Sequence, residues 1–172
     1  MGMDVYGKNP TNEVGTYFRR NIWGWRPLWQ YVRLNHAELA QHVEHGHTND
    51  GDGLDAEKSK LLAQEIRDAL ANGEAQVYIV ARGIYLSELP KQTCEYCEGT
   101  GIRTDAVGIQ YGMPERELAP EIAIITGRTH GFCNGCSAEG SKDAWETNYS
   151  LELDDLREFA DFLDSCGGFE IW

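Results

Sequence analysis

The sequence has few basic side chains and no long apolar run. It contains 15 lysine and arginine residues against 28 aspartate and glutamate residues, so its 172 residues carry a formal net charge of −13. Because phosphate groups repel such a charge at long range, sequence-independent binding to nucleic acid or to an anionic membrane is not expected. No apolar run approaches the roughly 20 residues of a membrane-spanning helix. Residues 1–10 lack the basic start and apolar stretch of a signal peptide. These absences predict a soluble, cytoplasmic protein.

The negative charge is concentrated in two blocks of the chain. Residues 35–75 carry three basic and nine acidic side chains, a net charge of −6, and residues 143–172 carry one and nine, a net charge of −8. Residues 1–34 carry five basic and two acidic side chains, a net charge of +3. Such blocks are commonly solvated faces, but the last one is a candidate surface for a basic partner. The candidate residues are Asp154, Asp155, Glu158, Asp161 and Asp164.

Apolar periodicity predicts most of the secondary structure as helix. We expect helices from about Pro27 to Leu34, from an N-cap at Asp52 or Asp55 to Asn72-Gly73, over residues 75–89, over residues 120–127, and from Leu153 to Gly167. The segment 75–89 is ambiguous, because Val77-Tyr78-Ile79-Val80 has the composition of a strand. The spacing of Val77, Val80, Ala81, Ile84 and Tyr85 favours a helix. Residues 1–22 are expected to form loops or short strands.

The expected fold is therefore mainly α, with minor β structure. Residues 1–172 are expected to form a single compact helical domain, since this length is typical of one domain. A small zinc-binding lobe over residues 92–141 is expected between its helical segments.

The cysteines give the most specific chemical signal in the sequence. Four of the five form two CxxC pairs, Cys94/Cys97 and Cys133/Cys136, which are separated by 35 residues. A CxxC turn places two sulfur atoms on one side of a tight loop, and two such turns facing each other complete a tetrahedral zinc site. Because four protein ligands leave no position for water, the predicted Zn²⁺ ion is structural rather than catalytic.

Other interpretations of the cysteine pairs are less consistent with the sequence. Disulfides need an oxidising compartment, and no signal peptide is present. A thioredoxin-like redox site uses one CxxC motif at the start of a helix, whereas both pairs here lie among glycines. His130 lies close enough to Cys133 to replace a ligand, but a set of four cysteines makes this unnecessary.

The first cysteine segment, residues 94–101, resembles a known zinc-finger repeat. Its sequence CEYCEGTG matches the CxxCxGxG repeat of DnaJ-type chaperone zinc fingers, and residues 133–140, CNGCSAEG, keep the cysteines and the last glycine but have Ala138 in place of a glycine. The DnaJ-type finger has four repeats and two zinc ions, so two repeats imply one zinc ion. The chain has no J-domain motif, so a co-chaperone role is not implied.

Most of the chain resembles a group of short proteins from bacteriophages and bacteria. The resemblance is carried by MGMDVYG at the start, WGWRPLW at residues 23–29, the CxxCxGTG turn and FADFLDSCGGFEIW at residues 159–172. It implies no activity, but it favours a phage accessory protein, which would act in the host cytoplasm.

Two weaker patterns have structural explanations. His36, His42, His45 and His47 lie within twelve residues, but no cysteine is near them, so we expect exposed histidines that bind no metal. The tryptophans at positions 23, 25 and 29 are expected to anchor a core, with Arg26 over one of the rings.

The sequence contains no nucleophile motif, phosphate-binding glycine loop or HExxH motif, so nothing indicates an enzyme. We expect a zinc-stabilised adaptor or inhibitor that binds another protein, such as a basic nucleic-acid-binding host protein. For a phage protein, an anti-defence inhibitor is the specific form of this hypothesis. The alternative is a nucleic-acid-binding zinc protein that uses the tryptophans together with Arg19, Arg20, Arg26 and Arg33.

Overall fold

A computed structural model describes residues 2–172, which divide into two compact units. The first contains the chain up to residue 87 together with residues 148–172, and the second contains residues 88–147. The segment 92–141, in which the zinc-binding lobe was expected, lies within the second unit. The elements of the first unit are β1 (Gly2–Gly7), β2 (Tyr17–Asn21), α1 (Ile22–Asn35), α2 (Ala37–Ala40), α3 (Ala56–Asn72), α4 (Glu74–Ser87), α7 (Leu153–Ser165) and β5 (Phe169–Ile171). Those of the second unit are β3 (Gln92–Thr93), α5 (Ala106–Gln110), α6 (Pro120–Thr126) and β4 (Ser141–Lys142).

The prediction of a mainly α fold is wrong, because the chain forms two antiparallel sheets and is α+β. In the first unit the strand order is β2-β1-β5, with Val5 opposite Phe18 on one side and opposite Ile171 on the other. In the second unit β3 pairs with β4. The three-residue strand β5 is too short to show an alternating pattern, and its partner lies at the other end of the sequence. Periodicity therefore gave no sign of the sheet.

The core of the first unit is rich in aromatic side chains. Trp25 and Trp29 are buried and stack with ring centroids 5.6 Å apart. Phe159 of α7 meets Trp25 edge-on, and Phe169 of β5 meets Trp29 in the same way. These contacts bring residues from the beginning and the end of the sequence into one core. The prediction that the tryptophans anchor a core is confirmed for Trp25 and Trp29.

Trp23 and Arg26 differ from the prediction. Trp23 is 45% exposed, because α1 begins at Ile22 and turns this ring away from the buried face. Arg26 lies over the ring of Tyr149 rather than over a tryptophan. Pro27, expected in the first turn, lies inside the longer helix that Asn21 caps through the Gly24 N–H.

Several helix boundaries confirm the sequence analysis. The Asp55 side chain accepts a hydrogen bond from the Lys58 N–H at 2.8 Å, and Gly73 ends α3 in the left-handed conformation. Pro120 opens α6 and Gly127 closes it. These signals are local: a cap or stop residue acts on the neighbouring backbone groups whatever the rest of the fold.

The segment 75–89 forms a helix, α4, but its predicted apolar stripe does not face the core. The exposed fractions of Val77, Val80, Ile84 and Tyr85 are 70%, 52%, 55% and 59%. The opposite side of α4 packs against the core instead. We call these four residues the α4 stripe. Periodicity predicted the helix correctly and could not indicate which face is buried.

No helix formed by residues 2–172 has the length and apolar character needed to cross a membrane.

Candidate metal centre

Two short β-strands and two tight turns bring the four paired cysteines together. Pairing of β3 with β4 places Cys94 just beyond the end of one strand and Gly140 just before the start of the other, and the Cys94 N–H donates to the Gly140 carbonyl at 2.9 Å. Cys97 and Cys136 each close their own turn by donating a backbone N–H to the first cysteine of the pair. All four side chains are buried.

The distances between the sulfur atoms fit one tetrahedral metal ion. The Cys94 and Cys133 Sγ atoms are 3.8 Å apart, and the Cys97 and Cys136 Sγ atoms are 3.7 Å apart. All four lie within 4.8 Å of one another. A tetrahedral ion with metal–sulfur bonds of about 2.3 Å places its sulfur ligands about 3.8 Å apart. A disulfide would need about 2.05 Å, and all five cysteines are free thiols.

The two turns have nearly the same backbone conformation, 39 residues apart. Glu98 and Ser137 have φ values of 50° and 49°, followed by Gly99 and Ala138 at 87° and 67°. Ala138 therefore adopts the left-handed conformation that the resemblance assigns to glycine. Gly101 and Gly140 complete the repeat with positive φ values. The second segment thus folds like the first although its sequence departs from the motif.

The repeated conformation directs one backbone donor at one sulfur atom of each pair. The Gly101 N–H donates to Cys97 Sγ and the Gly140 N–H donates to Cys136 Sγ, both at 3.2 Å. Such bonds disperse the negative charge of metal-bound thiolates and hold the sulfur atoms in place. Glycine at both positions allows the positive φ values that turn these N–H groups towards the sulfur atoms.

The pKa values of the thiols reflect burial opposed by these donors. Burial raises the pKa of Cys97, but the Gly101 N–H and the neighbouring thiols outweigh it, so the pKa lies below its usual value. At Cys136 burial prevails over the Gly140 N–H and raises the pKa to about 12. Burial also raises the pKa of Cys133. Proton loss from at least these last two thiols must therefore accompany metal binding at neutral pH.

Three basic side chains surround the cysteines and were not predicted from sequence. Arg128 donates to the Thr100 carbonyl at 2.9 Å and to the Ala138 carbonyl at 3.0 Å, so it ties the two turns together. The Arg103 guanidinium lies 4.8 Å from the centre of the Tyr96 ring, and the Lys142 ammonium lies 5.8 Å from it. Their charges offset part of the negative charge of four thiolates. No motif indicates them, because their positions follow from the fold of the segment between the pairs.

The second unit has almost no other core. Its buried cluster of hydrophobic residues consists of the four cysteines alone. Leu118 is buried outside this cluster, but several large apolar side chains of the unit are exposed, such as Tyr111 at 67% and Ile124 at 83%. A unit of this size without an apolar core needs another source of stability.

Within residues 2–172 no other group of histidine, cysteine or acidic side chains has the spacing of a metal site. His36, expected to be exposed, is buried, and its Nδ1 lies 2.8 Å from the Glu65 carboxylate. His42, His45 and His47 are exposed, as predicted. His130 lies outside the cysteine cluster. Cys166, the unpaired cysteine, is buried at the end of α7.

The acidic residues proposed for partner binding are all paired with arginines of this chain. Arg20 binds Asp155 and Glu158, Arg67 binds Asp161 and Asp164, and Arg157 binds Asp154. The charge of α7 is therefore partly neutralised. Arg20 and Arg67 come from distant parts of the sequence, so block charges could not reveal this pairing.

Comparison of the chain with protein-family models, with curated proteins and with solved structures gives no match. The likeness to DnaJ-type fingers thus rests on residues 94–101 and 133–140 alone. What the structure adds is the geometry: the described part of the chain contains one buried set of four cysteines that fits a single metal ion.

Proposed function

We propose that Cys94, Cys97, Cys133 and Cys136 hold one structural Zn²⁺ ion that stabilises the second unit. The observation that carries this proposal is the sulfur–sulfur spacing of 3.7–3.8 Å within a cluster that is also the unit's only buried apolar cluster. Four soft thiolate ligands in a tetrahedral arrangement favour zinc over hard cations such as Mg²⁺ and Ca²⁺. A complete set of protein ligands leaves no position for a reacting water, so the ion has no catalytic role.

The zinc proposal is tested by metal analysis of the purified protein and two cysteine variants. The expected result is about one zinc per chain, lost in Cys97→Ser and kept in Cys166→Ala, because Cys166 is a buried thiol outside the cluster. Stoichiometric iron would contradict zinc while leaving a thiolate metal site in place. Absence of any metal, or a native Cys94–Cys97 disulfide, would contradict the proposal itself.

For the whole protein, we infer a non-enzymatic role in binding another protein. The supporting observation is the α4 stripe, four large apolar side chains that are more than half exposed on one helix face. Contiguous apolar surface of this kind is typical of protein–protein contacts. In view of the resemblance to short phage proteins, the narrower hypothesis is a phage accessory protein that inhibits a host defence component.

Two surfaces compete for the partner. The acidic face of α7 suits a basic partner, but that partner must displace Arg20 or Arg67 from the carboxylates that they bind. The α4 stripe requires no such exchange. We therefore place the main contact on α4 and propose that the α7 carboxylates steer a basic partner by long-range attraction.

The two surfaces are distinguished by recovery of bound host proteins with matched variants. Val80→Asp in the α4 stripe is expected to abolish recovery, whereas Leu34→Asp, at a residue 64% exposed on α1, is expected to preserve it. If only Asp161→Asn abolishes the recovery of host proteins, the main contact lies on α7 instead. If neither Val80→Asp nor Asp161→Asn reduces the recovery of host proteins, both proposed contact surfaces are contradicted.

The alternative of nucleic-acid binding loses two of its four arginines. Arg19 lies 3.4 Å from the Asp4 carboxylate, and Arg20 is held by Asp155 and Glu158. The four arginines therefore do not form a continuous basic surface for a phosphate backbone, because the charges of Arg19 and Arg20 are neutralised by carboxylates. Arg26 and Arg33 remain.

A further inference from the structure

Arg26 and Arg33 are exposed arginines that form no ion pair with a carboxylate of residues 2–172. Within the described residues Arg82, Arg116 and Arg128 also lack a carboxylate partner, although acidic side chains outnumber basic ones in this protein of net charge −13. Arg20, Arg67 and Arg157 are all bound to aspartates. The sequence alone could not separate the two kinds of arginine.

The two guanidinium groups line one cavity of the first unit. A first cavity of about 420 Å³, on the Glu44 side, is lined by Arg33 and His47 but not by Arg26, and a second cavity of about 410 Å³ is lined by Arg26, Gln30, Arg33 and His47. We call the second one the arginine cavity. Its three α1 residues are spaced i, i+4, i+7 and so lie on one helix face. No carboxylate lines it.

Arg82 fixes the amide of Gln30 at the arginine cavity. Its Nη1 donates to Gln30 Oε1 at 3.0 Å, while its Nε and Nη2 donate to the Tyr149 carbonyl at 3.2 and 3.0 Å. Since the amide oxygen of Gln30 is already used, the NH₂ group is the end that remains to bind a ligand. The cavity therefore presents hydrogen-bond donors from two guanidinium groups and one amide, which suits an acceptor with several oxygen atoms.

Besides burial, the positive charges of Arg33 and Arg26 change the pKa of His47. The part of the imidazole that is buried, then the charge of Arg33 and then that of Arg26, lower its pKa below the usual value. Both guanidinium groups thus act on the imidazole from α1. Glu44, the carboxylate of the neighbouring cavity, does not cancel them.

We propose that the arginine cavity binds the phosphate groups of a small diphosphate-bearing ligand. Each guanidinium group can face one phosphate group, and the planar guanidinium fork is suited to paired phosphate oxygens. A volume of about 410 Å³ lies at the lower end of the range of small-ligand pockets. A single carboxylate would leave one guanidinium unmatched. This site is separate from the zinc centre and from the α4 stripe.

A half-exposed aromatic ring one helical turn from Arg26 distinguishes two sources of the diphosphate. Trp23 lies 4.9 Å from Tyr149, measured between ring centres, and the Arg26 guanidinium lies 5.9 Å from the same tyrosine ring. A nucleoside diphosphate has a base that can stack on the exposed indole, whereas inorganic pyrophosphate has no such group. The two probes are therefore compared directly.

The test is calorimetric titration of the full-length, metal-loaded protein with pyrophosphate and with ADP, together with NMR titration of His47. We expect saturable binding and a rise in the pKa of His47, because the bound anion cancels the charges of Arg26 and Arg33. Arg33→Gln is expected to weaken binding at least about tenfold, as loss of a charge-assisted contact does. Lys60→Gln removes the same charge from an exposed position on α3 and is expected to change affinity less than about twofold.

Each outcome of this titration has a defined meaning. Tighter binding of ADP that Trp23→Ala abolishes identifies a nucleotide, and equal binding of both probes identifies the diphosphate group alone. The proposal is overturned if neither probe binds, if Lys60→Gln weakens binding as much as Arg33→Gln, or if binding leaves His47 unchanged. Thermal unfolding of each variant verifies that it is folded. Failure of zinc binding or of partner recovery has no bearing on this result.

Discussion

Gly140 and Gly99, one from each cysteine turn, lie so close together that a Cβ atom on Gly140 would lie 2.2 Å from the Gly99 carbonyl oxygen. The reverse is not true. A Cβ atom on Gly99 would meet only the Thr93 methyl group at 3.4 Å. The two glycines belong to the two matching turns, yet only one of them is needed for close backbone contact.

The asymmetry predicts different effects of alanine at the two positions. Gly99→Ala is expected to weaken metal binding by about 1 kcal/mol, which is the usual penalty of an alanine in the left-handed conformation. Ala138 already adopts that conformation in the other turn. Gly140→Ala is expected to weaken metal binding by several times that free energy, because the turn must move and Cys136 Sγ loses its N–H donor. Competition with a chromogenic zinc chelator measures both affinities. Equal affinities would contradict the packing described for Gly140.

Metal removal is expected to unfold the second unit and leave the first folded. The cysteines are the only buried cluster of residues 88–147, whereas the core around Trp25 and Trp29 contains none of them. Two-dimensional amide NMR before and after chelation measures this directly. Resonances of residues 88–147 should collapse towards random-coil positions, and those of the first unit should keep their dispersion. Loss of both sets together would show that the units are coupled.

Acid is expected to release the metal. Because the thiols of Cys133 and Cys136 have raised pKa values, about 12 for Cys136, both are protonated in the metal-free protein at pH 7 and lose their protons on binding. Stability from the metal is therefore present at higher pH and lost as pH falls. With at least two protons displaced, affinity should fall about a hundredfold per pH unit near neutrality. Calorimetry in buffers of different ionisation enthalpy counts the protons, and a count of zero would contradict the thiol assignment.

Burial of one tryptophan and exposure of another predict a difference in stability. Trp25 is fully buried and its Nε1 donates to the Gly46 carbonyl at 2.8 Å, so Trp25→Phe loses packing and leaves a carbonyl without its donor. We expect a loss of about 2–3 kcal/mol in the free energy of unfolding. Trp23→Phe, at a half-exposed ring, is expected to cost under about 1 kcal/mol. Urea unfolding followed by circular dichroism compares the two, and similar costs would contradict the placement of α1.

Because Arg67 pairs with two surface aspartates, replacing it should make the α7 surface more negative without changing the fold. Arg67→Gln frees Asp161 and Asp164, whose ion pairs lie at the surface, so stability should change by less than about 1 kcal/mol. If the α7 carboxylates steer a basic partner, the association rate should rise in this variant. Stopped-flow mixing at low salt measures the rate, and a slower or unchanged rate would argue against steering.

What could be predicted from the sequence was local. Cys94 and Cys97 are placed by a turn of a few residues, and Asp55 and Gly73 cap α3 through neighbouring backbone groups. The grouping of the four cysteines, which could hold a metal ion, could therefore be predicted to the residue.

What was missed depends on contacts between distant segments. Val5 pairs with Ile171, and Arg20 reaches Asp155, and neither contact leaves a trace in the sequence around it. The same applies to the α4 stripe. Its spacing indicates one apolar helix face, but whether that face meets a core depends on where the other elements lie.

The position of β5 also constrains how the protein is made. The sheet of the first unit is complete only when Phe169–Ile171 has paired with β1, so it forms in full only after residue 171 has left the ribosome. All four cysteines, by contrast, are synthesised by residue 136. The four cysteines can thus come together while β1 is still paired with β2 alone, although they lie in the middle of the sequence.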